Sequence, residues 1–118
     1  MYTGHIKLCE AFMKLRLPKT VEILDVSAHD SSPGLVGLEL VHNGFDTVDG
    51  VDEKLENLNR ARRQKLYRNY ILGRVAELGS IPVKDESYDV ILMAGGFAPD
   101  KILPSSFNEL IRVMRPGS

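Results

Sequence analysis

VEILDVSAHDSSPGLVGLELVHNGFDTVDGVD, residues 21–52, carries the reading on which the fold turns. Val21 to Val26 is a run of strand formers whose apolar character suits burial on both faces. A polar, turn-rich stretch follows from Ser27 to Ser32. Ser32 then suits a helix cap and Pro33 the first helical position, where its missing N–H costs nothing. Leu35, Leu38 and Val41 form an apolar stripe, and Gly44 after Asn43 suits a left-handed stop. Thr47 to Val51 reads as a second strand closed by Asp52. Strand, helix and strand in succession predict a parallel pair.

The same alternation extends outward. Upstream, His5 to Leu15 predicts an amphipathic helix ending before Pro18. Downstream, a charged helix is expected from Lys54 to Tyr67, with Leu55, Leu58, Ala61 and Leu66 facing inward. Tyr70 to Leu72 reads as a third strand and Tyr88 to Ala94 as a fourth, ended by Gly95 and Gly96. No helix is visible between these two strands. A parallel arrangement needs an irregular crossover through Gly73 to Ser87, the rival being a hairpin across that loop. Ser106 and Glu109 form an S-x-x-E capping box, after which Phe107, Leu110, Ile111 and Met114 recur at helical spacing until Pro116-Gly117.

At 118 residues the chain suits one domain with one core: an N-terminal helix and linker over 1–19 and an α/β core over 20–118. A net charge of −1 supplies no field toward nucleic acid or anionic lipid. Arg60, Arg62, Arg63, Lys65 and Arg68 therefore read as a solvated helix face, and no nucleic-acid partner is expected. The apolar run Val90 to Ala98 is about half the roughly 20 residues of a membrane span, so no membrane association is expected. The first residues lack a basic region followed by a long apolar stretch, so no secretory signal is expected, and the lone Cys9 suits a reducing compartment, cytoplasmic or nuclear. His5, His29 and His42 lack metal-ligand spacing, G-x-S-x-G is absent, and so is G-x-G-x-x-G after the first strand.

Ligands in parallel α/β sheets sit beyond the carboxyl ends of the strands. Four groups fall there: Asp25 with the Ser27 to Gly34 loop, Asp52, the Arg74 to Leu78 segment, and Ala94 with Gly95 and Gly96. Asp52 could accept both hydrogen bonds of a ribose diol, or it could cap the helix that follows. The glycine pair could admit a ligand to the backbone, or it could simply turn the chain. Asp25 could orient the first loop or receive an ammonium group.

Together, ILDV…GLVGLEL…GF…GVD, SYDVILMAGGF and ELIRVMRPG make residues 20 to 117 resemble the class I S-adenosylmethionine-dependent methyltransferases. The resemblance implies a Rossmann-like partial parallel sheet in order 3-2-1-4 with flanking helices and the C-terminal strands missing. It also implies S-adenosylmethionine as cofactor. Asp25 matches the first motif's acid, near the methionine moiety, with Ser27 in its loop and Gly34 as its last glycine. Asp52 matches the ribose acid, Glu77 or Leu78 the adenine edge, and Ala94 with Gly95 the surroundings of the transferable methyl. The first loop departs from D-x-G/A-x-G-x-G: it is longer and lacks the first two glycines. Two functions follow. One is a methyltransferase-like protein acting on an unspecified acceptor. The other is an inactive binding module, in which the open edge of the fourth strand pairs with another copy as a homodimer.

Overall fold

The computed structural model describes residues 10, 12–27, 35–73, 79–94 and 104–116. Four strands, β1 (Ile23–Ser27), β2 (Val48–Asp52), β3 (Tyr70–Leu72) and β4 (Val90–Ala94), form one sheet in the order β3-β2-β1-β4. Every pair is parallel, so β3 and β4 lie at opposite edges and the hairpin is excluded. The sheet is the one that the resemblance implied. The helices are α1 (Leu35–His42), α2 (Leu55–Arg63) and α3 (Pro104–Val113). Ser32, Pro33 and all but Glu10, Phe12 and Met13 to Leu15 of the expected N-terminal helix lie outside the described residues.

Register divides the residues between two faces. Asp25 pairs with Gly50 on one side and Leu92 on the other, and register partners in parallel strands share a face. Ile23, Val48 and Leu92 pack there with Phe12, Leu40 and Phe45. Leu24, Val26 and Val51 pack on the opposite face with Ile81, Tyr88 and Val113. Ile23, Leu24, Asp25 and Val26 are all buried, as a strand covered on both sides requires.

Helix ends and faces depart from the simple apolar pattern. Gly44 stops α1 at φ +90, its N–H and that of Phe45 closing onto Val41 and Leu40. Among the described residues of α1, which leave out the Leu35 and Val36 side chains, Gly37 and Leu40 are buried and Val41 is exposed, and the sheet side of the helix admits an aromatic ring at Gly37. The second helix ends at Arg63, short of the expected Tyr67. Lys65 turns left-handed at φ 56, dropping Leu66 into the core and releasing Tyr67 toward the sheet. Leu55, expected inside, is 57% exposed at the start of this helix.

The third helix gives the largest correction. It begins at Pro104, not at Ser106, so Ser106 and Glu109 are no capping box. Glu109 is fully buried and Ile111 is 68% exposed, because the inward row is Glu109 and Val113, one turn apart. The Glu109 carboxylate accepts from the Gly79 and Ile81 amides at 2.7 and 2.6 Å and from Arg112 Nε at 2.7 Å. Arg112 in turn donates to the carbonyls of Val83 and Ile81 and to Asp85. This pair clasps the described part of the connection between β3 and β4, residues 79–85. Backbone groups that a crossover helix would have satisfied are satisfied by side chains instead. Arg112 above all, with the two amides, holds the Glu109 carboxyl at about 2.

Candidate functional site

The two ends of the sheet carry different chemistry. At the amino end, Asp49 accepts from Arg68 Nε and Nη2 at 2.9 and 3.0 Å and from the Tyr88 hydroxyl at 2.7 Å. Glu22 receives Arg68 and Arg115, and Asp89 pairs with Arg115 at 3.1 Å. Burial alone would raise the Asp49 carboxyl, but the bonds from Arg68, Tyr88 and Asn69 outweigh it and the net direction is down. Glu22 is lowered as well, by Arg115 first and then Arg68. A cleft of about 540 Å³ opens beside this network, lined in part by Asp49, Arg68, Tyr70 and Tyr88. Arg68, read from sequence as part of a solvated basic face, is thus an anchor for three strand starts. Arg60, Arg62, Arg63 and Lys65 are exposed, Arg62 stacking 4.8 Å from the Tyr70 ring centre.

At the carboxyl end lie Asp25 and Asp52. Asp25 registers with Gly50, two residues before Asp52, so the two carboxylates share a face and their charges interact. Asp25 stands inside β1 rather than at its end, as β1 continues through Ser27. It is 4% exposed, and its Oδ2 accepts the Tyr67 hydroxyl at 2.5 Å. Burial pushes the Asp25 carboxyl up to about 6, against the pull of the Tyr67 hydroxyl and the Gly37 amide. Tyr67 is raised too, by its own burial and then by the Asp25 charge.

Asp52 closes β2. Its Oδ1 accepts the Lys54 amide at 2.9 Å and its Oδ2 the Asn57 carboxamide at 3.1 Å. Asp52 is not the cap of α2: the N-cap residue is Lys54, without a side-chain capping bond, and the Asp52 bonds instead tie the strand end to the turn that opens the helix. Each oxygen still has a second lone pair, so bracing this turn and accepting from a diol are compatible roles for one carboxylate.

The other expected positions divide into two groups. Ser27 and Ala94 end β1 and β4 as register partners, which places both at the same end of the sheet as Asp52. Gly34, Glu77, Leu78 and Gly95 lie outside the described residues. The structure adds Tyr67, Asn57, Gly37 and Gly50, which sequence reasoning passed over. A legible signal existed for Tyr67: a glycine inside a helix and another inside a strand mark close approach of some other group. That group is its ring. Among the described residues, no three His, Cys, Asp or Glu side chains are grouped to hold a metal ion, and no helix is long and apolar enough to cross a membrane.

Residues 19–117 match the methyltransferase domain family. The chain belongs to that family. Membership bears out the methyltransferase-like reading and implies S-adenosylmethionine as cofactor. Solved structures with the same fold include a protein assigned as an S-adenosyl-L-methionine-dependent methyltransferase from Methanococcus maripaludis. The two share 19% identity at a TM-score of 0.67, over 98% of this chain and 52% of that one. A SAM-dependent methyltransferase from Aquifex aeolicus shares 23% identity at a TM-score of 0.64, over 98% and 69%. MccD protein shares 19% at 0.68, over 92% and 48%. The chain thus spans about half the length of the first two of these relatives by TM-score. No curated protein matches it.

Proposed function

We propose that this chain supplies the adenosyl-binding half of an S-adenosylmethionine-dependent methyltransferase. The observation that carries the reading is the pair Asp25 and Asp52, two carboxylates on one face toward the carboxyl end of adjacent strands. Their bonds to Tyr67, Lys54 and Asn57 come from neutral donors, a phenol, an amide and a carboxamide. That donor set fits an adenosyl group, since Asp52 retains acceptor capacity for a ribose diol. Ser27 and Gly34 would line the methionine side, Glu77 and Leu78 the adenine edge, and Ala94 with Gly95 the reacting centre. The cofactor supplies an electrophilic methyl on a sulfonium. The protein's part is to hold it in line with an acceptor and exclude water, which needs no dedicated base.

Within the family, the segments ILDV…GVD, SYDVILMAGGF and ELIRVMRPG support a likeness to the methyltransferase-like protein of the Williams–Beuren region. A cytoplasmic location accords with the lone Cys9. A second reading draws on β4, an apolar strand at the sheet edge. There a second copy would pair as a homodimer in a non-catalytic module.

Calorimetric titration with S-adenosylhomocysteine tests the first reading. Asp52→Ala should weaken binding by roughly 1.5–3 kcal/mol, the worth of hydrogen bonds to a charged group. Equal affinity of variant and wild type would leave Asp52 as a brace of the β2–α2 turn alone. A folded wild type that binds nothing at millimolar ligand, yet sediments as a dimer, would favour the second reading.

A further inference from the structure

Asn57 is an unexpected residue to find inside. The buried residues of α2 are Asn57, Leu58 and Ala61, and the first of these gains least from leaving water. A carboxamide taken out of water needs hydrogen bonds to offset the cost. Asn57 Nδ2 donates to Asp52 Oδ2 at 3.1 Å, with both side chains buried. The contacting atom must be the nitrogen, because a carboxylate only accepts.

The other carboxylate oxygen, Oδ1, accepts the Lys54 amide at 2.9 Å. The Asn57 amide closes the same turn onto the Lys54 carbonyl at 3.1 Å. Two donors on two different oxygens fix a plane. With the Lys54 amide alone, the carboxylate could swing about its terminal bond, a torsion with a broad minimum. The carboxamide stops that rotation. Elsewhere arginine does the bracing, Arg68 at Asp49 and Arg112 at Glu109, and it neutralises the acid it holds. Asn57 carries no charge, so it braces Asp52 without cancelling its field.

We infer that Asn57 is a positioning residue for ribose: it locks the plane of the Asp52 carboxylate so that both oxygens meet a vicinal diol together. This rests on the cofactor reading above, in which Asp52 accepts from the ribose. A two-point contact depends on that plane more than a single hydrogen bond does. The two hydroxyls sit on adjacent ring carbons and cannot follow a rotated carboxylate independently. An orientation set in advance also leaves less to be ordered when ligand binds. Asn57 thereby sets how strongly the site prefers a ribosyl ligand over a deoxyribosyl one.

The test compares the wild-type whole chain with Asn57→Leu, which keeps the branched shape and removes the donor. Affinities for S-adenosylhomocysteine and for its 2′,3′-dideoxy analogue are measured by calorimetry. The variant should bind S-adenosylhomocysteine roughly fivefold to tenfold more weakly, the worth of one hydrogen bond, and the dideoxy analogue as well as before. In an Asp52→Ala background the same change should weaken S-adenosylhomocysteine binding no further, because the two residues act through one contact. Asn57→Ala should give the same selective loss, so the result stands even if the leucine variant fails to fold. Equal weakening of both ligands would show that Asn57 only holds the helix, and would overturn the role. Unchanged affinity for S-adenosylhomocysteine would overturn it too. A wild type that binds both ligands alike removes the diol contact of Asp52, and the part given to Asn57 with it, while the cofactor reading stands. A folded wild type that binds neither overturns the cofactor reading itself.

Discussion

At the amino end of the sheet Asp49, Glu22 and Asp89 meet the guanidiniums of Arg68 and Arg115, and nearby Glu109 meets Arg112. Toward the carboxyl end, Asp25 and Asp52 are held by a phenol, a carboxamide and a backbone amide. The two regions push their acids in opposite directions. Arginine partners lower Glu22, Asp49 and Glu109, and the Glu22 amide, then Arg115, lowers Asp89, whereas burial raises Asp25 to about 6. A carboxylate with a fixed arginine is spent on structure, because its charge is already neutralised and its lone pairs are taken. One held by neutral donors keeps an uncompensated field that a cationic or hydroxylated ligand can meet. The same residue type is thus a rivet at one end and, on the proposed cofactor reading, a receptor at the other.

The rivets should break hardest. Glu109→Ala takes from Arg112 its buried carboxylate partner and from the Gly79 and Ile81 amides their acceptor, and urea unfolding should show a loss of about 3–5 kcal/mol. The pH response separates the two regions next. Glu109 titrates lower in the folded chain than its ordinary 4.5, so its contribution is present above pH 4.5 and is lost as pH falls toward 2. Asp25 titrates higher, about 6 against 3.8, so the folded chain binds its proton more tightly than the unfolded one. That contribution is full below pH 3.8 and is lost as pH rises through 6, a change of about 3 kcal/mol. Stability should therefore climb from pH 2 to about 4.5 and decline toward 6. Asp25→Asn should abolish the decline and keep the climb; a decline that survives would show that some other group causes it.

Gly50→Ala comes third. The added methyl meets the Tyr67 ring, and overpacking of that kind costs about 1–3 kcal/mol. The same change should lower S-adenosylhomocysteine affinity, whereas a glycine replaced at a site that merely turns the chain would not.

Legibility followed the range of the interactions. The parallel sheet was readable because each strand is a run of apolar residues whose burial on both faces is a local property, as in Ile23 to Val26. Strand order needed the family resemblance, since nothing in Tyr70 to Leu72 says which neighbour it will have. Asp25 and Asp52 were legible as acids near strand ends. Their partners were not, because Tyr67 lies 42 residues from Asp25 and reaches it only once Gly37 and Gly50 have opened a slot. Helix faces failed where a polar residue took the core position. A rule that counts apolar residues put Leu110, Ile111 and Met114 inside and left Glu109 for a cap, whereas the fold buries Glu109 completely.

That last difference yields the smallest expected effect and a clean control on the comparison. If α3 is fastened by Glu109 and Val113 rather than by an apolar stripe, Ile111→Glu should change stability by less than about 0.5 kcal/mol, since its side chain is 68% exposed. Val113→Ala, two positions on and fully buried, should cost several times more, through lost contact and the cavity left behind. Both variants keep the Glu109–Arg112 clasp, so the contrast reports the helix face alone. Equal losses from the two would mean that Ile111 is covered in the folded protein. The polar clasp would then share its work with an apolar contact, and the Glu109→Ala loss could no longer be read as the value of the clasp.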